Sequence, residues 1–131
     1  MRTLFAVVVI SLMSLPAAAQ GFSDYNGREL FMRFCASCHG ADGTGDGPVA
    51  DAVAATVPDL TRLARRNNGQ LDEDKLGEII DGRSVVIAHG TRYMPVWGYE
   101  FWVEEGADRE AEQEVRQIIA RLVDYLRALQ R

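Results

Sequence analysis

Apolar positions repeat most regularly toward the C-terminal end of the chain. Val115, Ile118, Ile119, Leu122, Val123, Leu126 and Leu129 advance in steps of three and one, the stripe of an amphipathic helix. Asp108 stands before it as N-cap. Glu110, Glu112 and Glu114 crowd its first turns and Arg127 and Arg131 its end, so charges oppose the helix dipole at both termini. A second stripe, Gly27, Leu30, Phe31, Phe34 and Cys38, predicts a helix over about 25–35 that ends around His39-Gly40, with Ser23 and Asp24 as candidate N-caps. Shorter pieces lie between. One, around Leu60, Leu63 and Ala64, starts near Pro58-Asp59 and stops at Asn67-Asn68-Gly69. Another runs from Asp72 as N-cap through Leu76, Ile79 and Ile80 to Gly82. Residues 40–47 hold too much glycine to be helix or strand and are expected as loop. Val85, Val86 and Ile87 alone would read as strand, but no convincing partner strand exists, and 84–89 is expected to be extended or irregular. With no repeats and no low-complexity linker, the expected class is all-α, one domain with substantial loops.

The first 19 residues break this pattern. Arg2 gives a positive start, residues 4–15 are apolar apart from Ser11 and Ser14, and Pro16 stops any helix before Ala17-Ala18-Ala19, which suits signal peptidase. The run is shorter than the about 20 apolar residues needed to span a bilayer. Residues 1–19 are therefore expected to be an export signal, cut between Ala19 and Gln20. That leaves a domain over 20–131, and the periplasm is the expected location. No cysteine follows the apolar run to take a lipid, so no stable membrane insertion is expected after cleavage.

Cleavage leaves 13 basic against 19 acidic side chains, a net charge of −6. Nucleic acid, whose phosphates demand a basic face, is an unsuitable partner; so is an anionic membrane surface. Only two cysteines are present, three positions apart, and they cannot join distant elements. Small exported domains usually need a staple or another source of core, so something else must supply it.

The candidate is Cys35-Ala36-Ser37-Cys38-His39, the C-x-x-C-H pattern of c-type haem attachment. Each thiol adds to one of two neighbouring vinyl groups on the porphyrin edge, which requires sulfurs one helical turn apart. The histidine that follows directly is then placed to coordinate the iron. Three other readings compete. A thioredoxin-like pair belongs after a strand in a βαβ unit, whereas this one ends a helix. A structural zinc site needs four ligands, which Cys35, Cys38, His39 and His89 could just provide. A disulfide between Cys35 and Cys38 would close a short loop of little stabilising value.

An iron that only moves electrons takes a second axial ligand. The domain has two methionines, Met32 and Met94. Met32 shares the helix of the attachment motif and so lies on its proximal side. Met94 stands 55 residues beyond His39, ample chain to reach the other face, and Pro95 pushes it out of helix. Met94 is the first candidate for the distal position and His89 its rival.

Gly27-Arg28-Glu29-Leu30-Phe31, the attachment motif with Gly40, Met94-Pro95-Val96-Trp97-Gly98 and Leu122-Val123-Asp124-Tyr125-Leu126 together resemble the bacterial class I c-type cytochromes. The resemblance covers essentially all of 20–131. It implies an all-α cytochrome c fold wrapping one covalent haem c and its iron, with terminal helices that cross where Gly27 and Phe31 meet Leu122 and Tyr125. It also implies a proline loop whose carbonyl accepts the proximal Nδ1–H. Pro48 is the first choice for that proline and Pro58 the second. Phe31, Phe34, Ile79, Ile80, Leu122 and Leu126 are expected around the haem. Residues 98–107 exceed the shortest members, as cover for the haem or as a partner-facing surface carrying Tyr99, Phe101 and Trp102.

Two weaker patterns fall away. Gly43-x-Gly45-x-Gly47 lacks the preceding strand and following Lys-Ser/Thr of a phosphate loop. Residues 42–53 start like a calcium loop but place Val53 where a bidentate glutamate is required. The function expected is electron transfer by a soluble periplasmic carrier between redox protein partners, not an enzyme and with no small-molecule substrate. The alternatives are a haem subunit bound to one dehydrogenase or oxidase, and an open-iron sensor or enzyme in which Met94 is not a ligand.

Overall fold

The longest element, α6 (Arg109–Ala128), organises the chain. In the computed structural model, which describes residues 21–83 and 94–131, Asp108 caps this helix by accepting the Ala111 N–H at 2.8 Å. Its predicted stripe faces inward: Val115, Ile118, Ile119, Leu122, Val123 and Leu126 are all buried. Leu129, the last of the series, lies beyond the helix and is half-buried.

Three helices pack on α6: α1 (Gly27–Phe34), α4 (Glu73–Asp81) and α5 (Trp97–Glu104). Two short helices, α2 (Ala36–His39) and α3 (Leu63–Arg66), complete the set among the described residues, which contain no strand. None of these helices is long and apolar enough to cross a membrane. Residues 1–20 and 84–93, which include the expected export signal, the 84–89 segment and His89, lie outside the described residues.

The start of α1 differs from expectation. Ser23 and Asp24 belong to a 3-10 turn over Phe22–Asp24, and Asn26 caps the helix. The Asn26 side chain accepts the Glu29 N–H at 3.0 Å while the Glu29 carboxylate accepts the Asn26 N–H at 2.8 Å. This reciprocal capping box satisfies two donors at once, which neither Ser23 nor Asp24 achieves. The helix then crosses α6 at Gly27. A Cβ there would lie 2.9 Å from Tyr125 Cβ and nearer still to the Arg121 carbonyl oxygen, so only glycine lets the backbones approach this closely. Phe31 packs against Tyr125 with ring centroids 5.2 Å apart and planes tilted by 50°.

The middle of the chain follows the turn chemistry of its sequence. Asp72 caps α4 through the Lys75 N–H at 3.0 Å, and Gly82 ends it in the left-handed region at φ 72°. The 60–66 piece opens on Asp59, which accepts from Thr61, and stops at Asn68 and Gly69, both at positive φ. Residues 98–107 are not a protruding insertion. They form most of α5, which buries Phe101 to 1 % exposure between α6 and the rings of Phe22, Phe34 and Trp97. Trp102 donates its indole N–H to the Asp108 carbonyl at 3.0 Å. Tyr99 is the one aromatic of this stretch left exposed.

Candidate haem site

Cys35 is the joint between α1 and α2. Its N–H still bonds the Phe31 carbonyl at 2.9 Å, while its own carbonyl accepts from Cys38 N–H at 3.2 Å and His39 N–H at 2.9 Å. One helical turn therefore separates the two cysteines, both free thiols, and His39 follows on the same turn.

A four-residue helix leaves its carbonyls in need of donors. The glycine-rich loop supplies them: Val49 N–H donates to Ser37 O at 3.1 Å, Gly47 N–H to Cys38 O at 3.1 Å and Gly45 N–H to His39 O at 2.8 Å. The approach is so close that a Cβ on Gly47 would sit 2.6 Å from the Cys38 carbonyl carbon. The loop is thus a backbone clamp on the attachment motif.

The loop then returns past His39. The Nδ1–H of His39 donates to the Pro58 carbonyl oxygen at 3.4 Å. A carbonyl can only accept, so the proton belongs on Nδ1 and the lone pair on Nε2. Burial lowers the histidine's pKa below its ordinary value, against the opposing pull of the Pro58 bond, which favours the neutral ring that a metal requires. Pro48, the first choice from sequence, is not the acceptor. Its neighbours Gly47 and Val49 are committed to the carbonyls of α2, and the chain reaches the imidazole only at Pro58.

Beside this motif opens a cavity of about 350 Å³. Cys35, Ser37, Cys38 and His39 line it together with Phe34, Val53, Ala55, Thr56, Val57 and Pro58, and with Met94, Pro95 and Trp97 ahead of and at the start of α5. Among the described residues that line it there is no carboxylate, ammonium or guanidinium. The structure therefore brings Cys35, Cys38, His39 and Met94 to one apolar cavity. Met32 is exposed on α1, away from it. Of the six residues expected around a haem, only Phe34 lines the space. Phe31, Ile80, Leu122 and Leu126 form the core between helices, and Ile79 is 42 % exposed. The wall over 53–57 was not anticipated. Its signal was an apolar run with no helical period between a glycine loop and a proline.

The chemistry of the donors selects among the readings. Burial, and secondarily the neighbouring Cys38, push the Cys35 thiol up to about 12. A thiol raised in this way suits a thioredoxin-like nucleophile poorly. Among the described residues no three His, Cys, Asp or Glu side chains converge as metal ligands would; His89, the fourth zinc candidate, lies outside them. Two thiols, an imidazole and a thioether around an apolar space do fit a covalent haem c, which needs two thiols for attachment, a nitrogen ligand and a dry surround.

Comparison with known proteins agrees. The family model described as Cytochrome c matches residues 25–130, a span that takes in α1, the cavity and α6. No match was found among curated proteins or among solved structures.

Proposed function

We propose, because this chain belongs to the cytochrome c family, that it is an exported electron carrier with one haem c held at Cys35, Cys38 and His39 and closed by Met94. Members of the family bind haem c covalently and use it for electron transfer, and the all-α fold of the chain is theirs. When bound, the haem iron takes up and gives up one electron. The remaining roles fall to the chain. Cys35 and Cys38 hold the porphyrin edge by thioether bonds. His39 presents the Nε2 lone pair, with its ring oriented by the Pro58 carbonyl. Met94 supplies the second ligand, and a thioether there favours the reduced state and raises the potential. The apolar walls at 53–57 and Trp97 exclude water and act in the same direction. If His39 and Met94 both held the iron, they would leave no position for a substrate.

The observation that carries this reading is the convergence of His39, Met94 and both cysteines on one apolar cavity. A mobile carrier is favoured over a tightly bound subunit by α5. Its Phe101 is core, leaving Tyr99 and Val103 as the exposed large apolar residues there, too little for a permanent interface. The periplasm follows from the export signal expected over 1–19.

The test is a mass and a spectrum. Exported protein should weigh as the chain from Gln20 plus one haem that survives acid-acetone extraction. Its oxidised form should show the weak near-infrared band of a methionine–ferric bond, and Met94→Ala should abolish that band. An apoprotein mass would sink the haem assignment. Persistence of the band in Met94→Ala would sink the distal one, and loss of a ligand in His89→Ala would point to bis-histidine coordination.

A further inference from the structure

Met94 stands just before α5, and the start of α5 is held by the end of α4. The chain leaves α4 at Gly82 and Arg83 and is described again from Met94, four residues before Gly98 in the first turn of α5. At Gly98 the Asp81 carboxylate lies directly on the helix backbone. A Cβ there would stand 2.7 Å from Asp81 Cγ and 2.8 Å from Arg83 Nε. Arg83 grips that carboxylate by Nε to Oδ1 at 2.7 Å and Nη2 to Oδ2 at 3.2 Å, and reaches α6 by Nη1 to Glu112 Oε1 at 2.6 Å. Its side chain is only 29 % exposed, less than the other arginines that form ion pairs.

We propose that Arg83 is a positioning residue for Met94: by binding Asp81 against Gly98 and anchoring both to Glu112, it fixes the first turn of α5, four residues after Met94, and so keeps the thioether where the iron would bind. The inference rests on Met94 being the distal ligand. A thioether is a weak ligand that competes with any incoming donor, so its occupancy depends on its effective concentration at the metal. Fixing the helix start next to it narrows the positions a detached thioether can take and raises that concentration. A planar, forked guanidinium bonded to two carboxylates suits this task better than a single ammonium.

Imidazole titration of the oxidised holoprotein tests the clasp, since imidazole nitrogen replaces the methionine sulfur and the near-infrared band reports the exchange. Arg83→Gln should tighten imidazole binding by about fivefold, the size of a partly exposed ion-pair network, and Arg83→Lys should recover part of the difference. Thermal unfolding followed by far-ultraviolet circular dichroism gives the structural baseline. A lowered melting temperature with unchanged imidazole affinity would make Arg83 merely structural and overturn the proposal. Should Arg83→Gln fail to accumulate as holoprotein, Glu112→Ala, which removes one leg of the clasp, must tighten imidazole binding, and unchanged affinity in it overturns the proposal equally. Failure of the ligand assignment is separate: there the band persists in Met94→Ala, whatever Arg83 does.

Discussion

His39 and Pro58 are joined by a hydrogen bond from the imidazole Nδ1–H to the backbone carbonyl, 19 residues apart in sequence and 3.4 Å apart in space. Because the acceptor is main chain, side-chain substitution at Pro58 leaves the oxygen but frees a backbone that the pyrrolidine ring holds stiff. A looser carbonyl accepts less well, the ring becomes a poorer donor to ferric iron, and the potential rises.

Pro58→Ala should therefore raise the midpoint potential by on the order of 40 mV, the one-electron equivalent of a hydrogen bond worth about 1 kcal/mol. Pro48→Ala, at a position with no such bond to His39, should leave it unchanged. Redox titration of both variants decides, and equal shifts would assign the effect to general loosening of the loop.

Gly27 makes a prediction about stability alone. A methyl group there meets the Arg121 carbonyl and Tyr125 Cβ, both on the rigid helix α6, so neither contact can yield by rotating a side chain. Gly27→Ala gains helix propensity but should still cost about 1–3 kcal/mol by overpacking. Denaturant unfolding of the holoprotein measures it. A neutral or stabilised variant would mean that the helices separate without loss.

What could be read in the sequence was what local chemistry decides. The α6 stripe with Asp108, and α4 with Asp72 and Gly82, each depend on residues within a turn or two of one another. The attachment motif is likewise local. What escaped was set by distant chain. Asn26 outdoes Asp24 as cap only through its return bond from Glu29. Helix α5 reads poorly because Trp97, Phe101, Trp102 and Val103 show no clean polar face, and only packing against α6, Phe22 and Phe34 makes Phe101 core. The family resemblance points first to Pro48. The clamp of Gly45, Gly47 and Val49 on α2, a three-dimensional fact, hands the role to Pro58.

Acid stability should depend on Glu73. Its carboxylate accepts from Arg127 on α6, and that bond holds the carboxyl below the ordinary glutamate range. A group with a depressed folded-state pKa stabilises the fold above its unfolded value, and the contribution is lost as pH falls through the folded one. Glu73→Gln should accordingly lower stability at neutral pH and converge with the parent in acid. Urea midpoints across the pH range test this, and a constant difference at all pH values would exclude the ion pair as its source.

The last expectation concerns how partners are met. Pro58, in the cavity wall, leads directly into a turn bearing Arg62, Arg65 and Arg66, all exposed. Trp97, also in the wall, leads instead into α5 with exposed Glu100 and Glu104. The chain entering and the chain leaving the site thus carry opposite charge, within a chain of net −5. Not every charge is available for docking: Glu105 accepts the Phe22 N–H at 2.7 Å, and Arg62, Arg83 and Arg127 are held in ion pairs. A field of this kind orients an approaching redox protein and raises its association rate. The second-order rate of electron transfer with a physiological partner should fall as salt is raised, because the Debye length shrinks from roughly 30 Å at 0.01 M to about 10 Å at 0.1 M. Arg65→Gln and the pair Glu100→Gln with Glu104→Gln should each move the low-salt rate, in opposite directions, and converge at high salt. Stopped-flow kinetics over an ionic-strength series measures both. A salt-independent rate, with turnover confined to a permanently assembled complex, would favour a bound subunit over a mobile carrier.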